Sequence, residues 1–174
     1  MAYKDVTEAA IVMALRRLAE KARKAILRSR KDWRNYEMIV RSRLGEWTVM
    51  NEALTAETYR RLVRLGEVPR KYFFTVTEGI FETTIIASLE LKKRLLEILT
   101  DVRIVSSFEG LSSITIRLTE QTVATPGVYY LILMQLAWEG INVIEIVSTF
   151  REFTVVLSEK QVDRAFTALK SALA

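Results

Sequence analysis

Two stretches of the chain, FFTVTEGIFETTIIASLELKKRLLEIL at residues 73–99 and VIEIVSTFREFTVVLSEKQVDRAFTAL at residues 143–169, follow one pattern at a fixed offset of 70. Each stretch has β-branched and aromatic residues first and helical spacing afterwards, which predicts strand, turn, strand and helix. The aligned identities are Glu82 with Glu152, Thr84 with Thr154, Ser88 with Ser158, Arg94 with Arg164 and Leu99 with Leu169. A repeat of this length indicates a duplicated structural unit.

The repeat extends toward the N-terminal side of each stretch. Residues 36–50 and 104–115 each have the pattern of strand, glycine and strand, with Gly45 and Gly110 at the predicted turns and an offset of 65. A second predicted helix follows in each half, at residues 55–65 and 126–139.

The loop before the second of these helices is longer by five residues, and the extra length falls within residues 118–125.

Two helices for every four strands indicate antiparallel sheet covered by helices on one face, an α+β architecture. If each unit is counted from one strand later in the chain, the order of its elements is βαββαβ, which is the order of the ferredoxin-like unit. The predicted division is an N-terminal basic helical segment at residues 1–35, a first unit at 36–110 and a second unit at 111–174. The second unit lacks a sixth strand of its own, and residues 36–43 are predicted to supply it.

Composition excludes several classes of chemistry. The chain has 174 residues, of which 50% are hydrophobic and 27% charged, with no Cys and no His. Disulfides, thiolate catalysis, Ser-His-Asp triads and Cys- or His-based metal sites are therefore excluded. Carboxylates recur as Glu78 with Glu82 and Glu139 with Glu145, but no pattern places them in a pocket. The sequence predicts no catalytic residue, no metal site and no cofactor.

No apolar run is long enough to predict a membrane helix and no signal peptide is predicted, so a cytoplasmic protein without membrane contact is expected.

The net charge of +5 is unevenly distributed along the chain. Residues 1–71 hold 17 basic and 9 acidic residues, a net +8, which leaves 9 basic and 12 acidic residues, a net −3, for the remainder. Residues 5–28 have helical spacing with one apolar stripe and a basic opposite face. Such a face is typical of a solvated helix, and it also suits contact with phosphates. The candidate nucleic-acid contacts are Arg16, Arg17, Lys24 and Arg28.

A series of short motifs in the second half resembles a known family. The chain has Thr125-Pro126-Gly127-Val128, then an apolar helix, then Glu139-Gly140-Ile141-Asn142-Val143 and Ile146-Val147-Ser148-Thr149. This series resembles an ACT domain, in particular those in the regulatory part of aspartate kinases. The whole chain is also similar to archaeal proteins that have tandem ACT-like units and an N-terminal helical segment.

The resemblance implies tandem ACT-like units with a regulatory, allosteric role, because ACT domains bind small molecules, usually amino acids, at interfaces between units. A ligand carboxylate suits a helix N-terminus, where free backbone N–H groups and the helix dipole favour an anion. The first half departs from the motif, with Thr55-Ala56-Glu57 in place of Pro-Gly and Lys71-Tyr72 in place of Ile-Asn. The candidate ligand-binding residues are therefore in the second half: Thr125, Gly127, Val128, Tyr129 and Asn142.

Three functions remain open on this reading. The first is a non-catalytic regulatory protein that binds an amino acid or similar small effector and acts on its own assembly or on a partner, such as an amino-acid biosynthetic enzyme. The second is a nucleic-acid-associated or transcriptional regulator that contacts DNA through the basic N-terminal segment. The third is a structural interaction subunit without a ligand. A homodimer or larger homo-oligomer is expected, built on sheet edges or on the apolar helix at residues 128–138.

Overall fold

The structure, a computed structural model, describes residues 10–18, 36–69, 71–120 and 125–173. Residues 10–18 are helical, and the rest of the predicted N-terminal segment lies outside the described residues. The strands are β1 (Met38–Met50), β2 (Phe74–Glu78), β3 (Glu82–Ser88), β4 (Ile104–Arg117), β5 (Val143–Ser148) and β6 (Glu152–Ser158). The helices that follow them are α1 (Ala56–Gly66), α2 (Lys92–Ile98), α3 (Val128–Trp138) and α4 (Val162–Leu173).

The strands of this part of the chain form one antiparallel sheet in the order β2-β3-β1-β4-β6-β5. Each half contributes a long strand, a helix, a two-stranded hairpin and a second helix, in that order. The predicted α+β class with tandem ferredoxin-like units is confirmed. Among the described residues no helix is long and apolar enough to cross a membrane.

The glycine turns predicted within residues 36–50 and 104–115 are wrong, because each segment contains one continuous strand. β1 has 13 residues and β4 has 14. Gly45 lies inside β1, where a Cβ would come within 2.5 Å of the Trp47 side chain, so glycine leaves room for that ring. Gly110 has φ 68° and lies between Glu109 and Leu111, where the pairing with β1 shifts by a β-bulge.

The two long strands connect the halves. Residues 38–41 of β1 pair with residues 113–116 of β4 beside β6, whereas residues 44–50 of β1 pair with β3. One end of each long strand therefore belongs to each half of the sheet. The predicted boundary between residues 110 and 111 falls inside β4, and the division into two domains stays a prediction.

Two apolar cores lie under the helices. In the first half (residues 36–110), α1 and α2 cover a core that includes Trp47 and Val49. In the second half (residues 111–174), α3 and α4 cover a core that includes Ile114 and Ile116. A third cluster consists of Leu44, Ile86, Leu111 and Val156. Because successive strand residues face opposite sides, this cluster lies on the other face of the sheet.

The face without helices is concave. Ile144 and Val147 of β5, the last strand in the sheet order, pack against the third apolar cluster, which includes Ile86 of β3. Glu145 of β5 also lines the same cleft as Thr77 and Thr84 from the other end of the sheet. The sheet therefore curls, and strands from its two ends meet on this concave face.

Candidate functional site

The predicted ligand site lies at the N-terminal end of α3, with a different geometry from the one predicted. The helix begins at Val128 and not at Pro126, which lies in the preceding turn. Gly127 is the N-cap residue, with φ 87° and ψ 2°. These angles are those of the third position of a type II turn, in which proline is common at the second position. The turn therefore favours glycine at residue 127 for its positive φ.

The start of α3 has no side chain at its N-cap position, whereas side chains cap the start of α1. Thr55 Oγ1 accepts a hydrogen bond from the Thr58 N–H at 3.1 Å, and Glu57 places a carboxylate in the first turn of α1. Gly127 offers no capping side chain and the first turn of α3 has no acidic residue. A Cβ built on Gly127 would meet no described atom within 4 Å. Unsatisfied backbone N–H groups at a helix start favour an anion, so this geometry suits a carboxylate.

The neighbouring candidates differ in what they offer a ligand. Val128 is buried in the second-half core, so it offers its backbone N–H. Tyr129 is 43% exposed, and its ring stacks on Phe153 with 4.5 Å between the ring centroids. Thr125 is half-buried just before the turn. The structure thus brings Thr125, Gly127, Val128 and Tyr129 together at one end of α3.

Asn142 lies away from these residues. It follows the C-terminal end of α3, whose 11 residues span about 16 Å at 1.5 Å per residue. The side chain of Asn142 is exposed. One small ligand at the start of α3 therefore does not reach Asn142 of the same chain.

The first-half counterpart of Asn142 is Tyr72, which lines a cleft of about 410 Å³. This basic cleft is lined by Arg41, Ser42, Arg43, Lys71, Tyr72, Ser88 and Glu90. The Arg41 guanidinium donates a hydrogen bond to the Lys71 carbonyl oxygen at 2.9 Å, and Arg43 Nη2 lies 3.7 Å from Glu90 Oε1. Three cations and one carboxylate give the cleft a positive charge, which sequence analysis did not anticipate.

A second cleft, of about 490 Å³, opens on the concave face and has the opposite charge. This acidic cleft is lined by Thr77, Gly79, Ile80, Phe81, Glu82, Thr84 and Glu145. On the same face of the sheet, Glu46 of β1 is 4% exposed, and its Oε2 has no hydrogen-bond partner among the residues that the structure describes. Burial, together with the nearby Glu145 carboxylate, raises the pKa of Glu46 to about 7.

The sequence does not indicate this arrangement, because its three carboxylates are far apart along the chain. Glu145 is closest in sequence to Glu139, whereas in the structure it lines a cleft with Glu82 of the other half and interacts with Glu46. One signal was present in the sequence. Glu46 is the charged residue within LGEWTV at residues 44–49, and a lone carboxylate between large apolar residues in a central strand indicates burial.

The basic N-terminal candidates are only partly described. Arg16 and Arg17 lie in the helical stretch at residues 10–18 and are exposed. Lys24 and Arg28 lie outside the described residues. The large apolar side chains of the same stretch, Ile11, Val12, Met13, Leu15 and Leu18, are also 43–63% exposed.

Solved structures that match this fold include whole aspartate kinases and isolated regulatory subunits of aspartate kinase. The allosteric aspartate kinase of Clostridium acetobutylicum matches with a TM-score of 0.64 and 13% identity, over 79% of this chain and 34% of that one. The ligand-free regulatory subunit of the Thermus thermophilus aspartate kinase matches with a TM-score of 0.62 and 12% identity, over 79% and 98%. The E. coli aspartokinase III complex with lysine and aspartate matches with a TM-score of 0.55 and 14% identity, over 78% and 32%.

This chain therefore has the ACT fold of those regulatory domains, which confirms the resemblance drawn from the sequence motifs. It spans about a third of the whole Clostridium and E. coli kinases and nearly all of the Thermus regulatory subunit. No family model matches the chain, and no curated protein matches its sequence.

Proposed function

We propose that this chain is a non-catalytic regulatory module that binds a small-molecule effector, with an amino acid as the first candidate. The observation that carries the proposal is the fold shared with an isolated regulatory subunit, which the match covers over 98% of its length. The E. coli aspartokinase III complex contains lysine and aspartate, so amino acids are the first ligands to test.

The proposed effector site is the start of α3, to which Thr125, Gly127, Val128 and Tyr129 belong. The left-handed Gly127 at the N-cap and a first turn of α3 without an acidic residue support a carboxylate at this point. Asn142 is the candidate for a contact at the other end of α3, with a separate ligand or a neighbouring subunit.

Thermal unfolding in the presence of each standard amino acid tests the proposal. A ligand that binds only the folded protein stabilises it by about 2.7 kcal/mol at a concentration of about one hundred times its Kd. We expect one or a few amino acids to raise the Tm. If none does, the site has no amino-acid function, and the alternative of a structural subunit without ligand gains support.

Gly127→Asn is the sharpest variant for locating the site. Asparagine tolerates a left-handed backbone better than other side chains, so the fold should survive, while its side chain obstructs the helix start. We expect effector binding to be lost. The matched control is Ala56→Asn at the start of α1, which should leave binding unchanged. Binding that persists in Gly127→Asn would mean that the turn is only a connector.

We further propose that the chain acts as a homo-oligomer, with an amino-acid biosynthetic enzyme as one class of partner. Tyr130 and Trp138 of α3 are 65% and 73% exposed, which favours a helix face covered by another subunit. Light scattering tests this assembly. A monomer at tens of micromolar protein would contradict it, and Trp138→Lys should weaken a dimer formed through α3.

The alternative proposal is nucleic-acid binding through the N-terminal basic segment. It rests on the exposed, adjacent Arg16 and Arg17 and on the net +8 of residues 1–71. Phosphate contacts make affinity fall steeply with salt, which provides the test developed in the Discussion.

A further inference from the structure

We propose that the acidic cleft on the concave face binds a small organic cation, a primary alkylammonium ion, through the carboxylates of Glu145 and Glu46. The cleft joins the β2–β3 hairpin of the first half to β5 of the second half. It is separate from the start of α3, so this second site goes beyond the effector site proposed above.

The first observation is an unsatisfied acceptor beside the cleft. Glu46 is 4% exposed, and its Oε2 has no hydrogen-bond partner among the described residues. Buried carboxylates are normally paired or hydrogen-bonded, because the loss of hydration is otherwise uncompensated. An unpartnered oxygen at this position indicates that a donor is missing.

The second observation is that Glu46 and the cleft share one face of the sheet. Glu46 and Thr48 alternate along β1, and the Thr48 hydroxyl lies 3.1 Å from the hydroxyl of Thr84, which lines the cleft. The register partners of Glu46 are Ile86 and Phe108, which carry no charge. The charged group that acts on Glu46 is Glu145 of β5, which lines the cleft itself.

The third observation comes from the internal repeat. In the strand pairing, Glu46 lies opposite Ile86 as Ser113 lies opposite Val156, and Ile86 and Val156 are repeat counterparts, so the second-half counterpart of Glu46 is the buried Ser113. The repeated fold therefore accepts a small uncharged side chain at this strand position. A carboxylate in one copy is a specific feature of the first half, and it is not required by the architecture.

The lining defines the chemistry of the ligand. The cleft wall contains two carboxylates, from Glu82 and Glu145, and no Lys or Arg that would hold a ligand carboxylate. The described residues include no group of three acidic side chains placed to hold a metal ion. Ile80 and Phe81 at the hairpin tip are 87% and 72% exposed and offer apolar surface for an alkyl chain. An amine without a carboxylate fits this lining better than a metal ion or an α-amino acid does.

Binding of a cation should be coupled to the ionisation of Glu46. The pKa of Glu46 is about 7 because of burial and Glu145, so this carboxyl is largely protonated below neutral pH. A bound ammonium ion favours the charged carboxylate and displaces its proton. Affinity should therefore weaken as the pH falls below the pKa of Glu46, by up to about tenfold per pH unit.

Titration calorimetry with butylamine on the full chain tests the site, with butanol and butyrate as neutral and anionic ligands of similar size. We expect butylamine alone to bind, and Glu145→Gln and Glu46→Gln each to weaken it by about tenfold or more, since each removes a charged partner. The matched control is Glu152→Gln, because Glu152 is the repeat counterpart of Glu82 and lies outside the cleft lining. This control should bind butylamine normally.

Several results would overturn the proposal. They are the absence of butylamine binding at millimolar concentration, unchanged binding in Glu46→Gln, and binding that does not weaken at acidic pH. Tighter binding of Mg²⁺ that is lost in the same variants would replace the amine site with a metal site. Gly127→Asn separates the two proposals, because it should abolish effector binding at α3 and leave butylamine binding intact.

Discussion

The two halves of the chain have the same buried framework and different surfaces. Leu62 of α1 and Ile132 of α3 are repeat counterparts, and both are at most 1% exposed in their cores. On the outside, α1 carries three arginines, whereas α3 exposes two tyrosines and a tryptophan. Core packing thus limits change at buried positions, while helix surfaces and helix starts have diverged. Differences between the halves are therefore the best guide to function within this one sequence.

The same comparison separates the effector site from the basic cleft. The start of α3 has no side chain at its N-cap position, in contrast to the capped start of α1. The basic cleft has Lys71 and Tyr72 where the second half has Ile141 and Asn142. Each site thus depends on residues that only one half possesses.

Matched truncations of the two cores should have the largest effect. Leu62→Ala and Ile132→Ala each remove a fully buried side chain, so each should lower the free energy of unfolding by about 2–5 kcal/mol. Because β1 and β4 each pair within both halves, we expect either variant to destabilise the whole sheet in one transition. Urea unfolding followed by circular dichroism and by tryptophan fluorescence measures this.

Two separated unfolding transitions in either variant would contradict the expected single transition, since they would mean that the halves unfold independently despite the shared strands. The solvent-exposed Val63→Ala in α1 is the control, and it should change stability by less than about 0.5 kcal/mol.

Glu46→Leu, which removes the buried carboxyl group, should stabilise the protein in a pH-dependent way. The pKa of Glu46 rises from 4.5 to about 7 on folding, so the folded state binds more protons than the unfolded state between these values. Raising the pH through this window therefore destabilises the wild type, by about 3 kcal/mol at about 1.4 kcal/mol per pKa unit. The Glu46→Leu variant has no carboxyl group at this position, so its stability should not fall for this reason as the pH rises.

The measurement is urea unfolding of both proteins at about pH 4.5 and about pH 8, compared as a difference so that any constant packing effect of leucine cancels. An equal stability difference at the two pH values would show that folding does not raise the pKa of Glu46.

Much of the fold followed from the repeat, because period-two and helical spacing report directly on which side chains are buried. The helix at residues 128–138, the hairpins and the ferredoxin-like order were predicted correctly. The glycine turns were wrong because Gly45 serves the packing of Trp47 and Gly110 serves a bulge, and a local pattern does not distinguish these roles from a turn. Only three-dimensional curling of the sheet brings Glu145 to Glu46, so no sequence spacing predicted the acidic cleft.

Gly127 should tolerate substitution less well than its helix-start position suggested. In a helical first turn, an ordinary side chain would cost only about a few tenths of a kcal/mol. With φ at 87°, Gly127→Ala should cost about 1 kcal/mol, because an L-residue is strained in this region. Gly127→Asn should cost less. Thermal unfolding compares the two, and an alanine variant as stable as the wild type would contradict the left-handed geometry.

Charge reversal of the N-terminal segment should have the smallest effect on stability and decides the nucleic-acid alternative. Arg16 and Arg17 are exposed, so Arg16→Glu with Arg17→Glu should change the free energy of unfolding by less than about 0.5 kcal/mol.

If the segment contacts phosphates, wild-type affinity for duplex DNA should fall with salt, with a log–log slope of about 0.9 per contact. The double variant should weaken this binding strongly, and its extension to Lys24→Glu and Arg28→Glu should abolish it. The matched control for the double variant is Arg60→Glu with Arg61→Glu on α1, which makes the same net charge change on the first half and should leave binding in place. Loss of binding in both variants would show that only the overall charge of the first half attracts DNA, and no wild-type binding at low salt would remove the alternative.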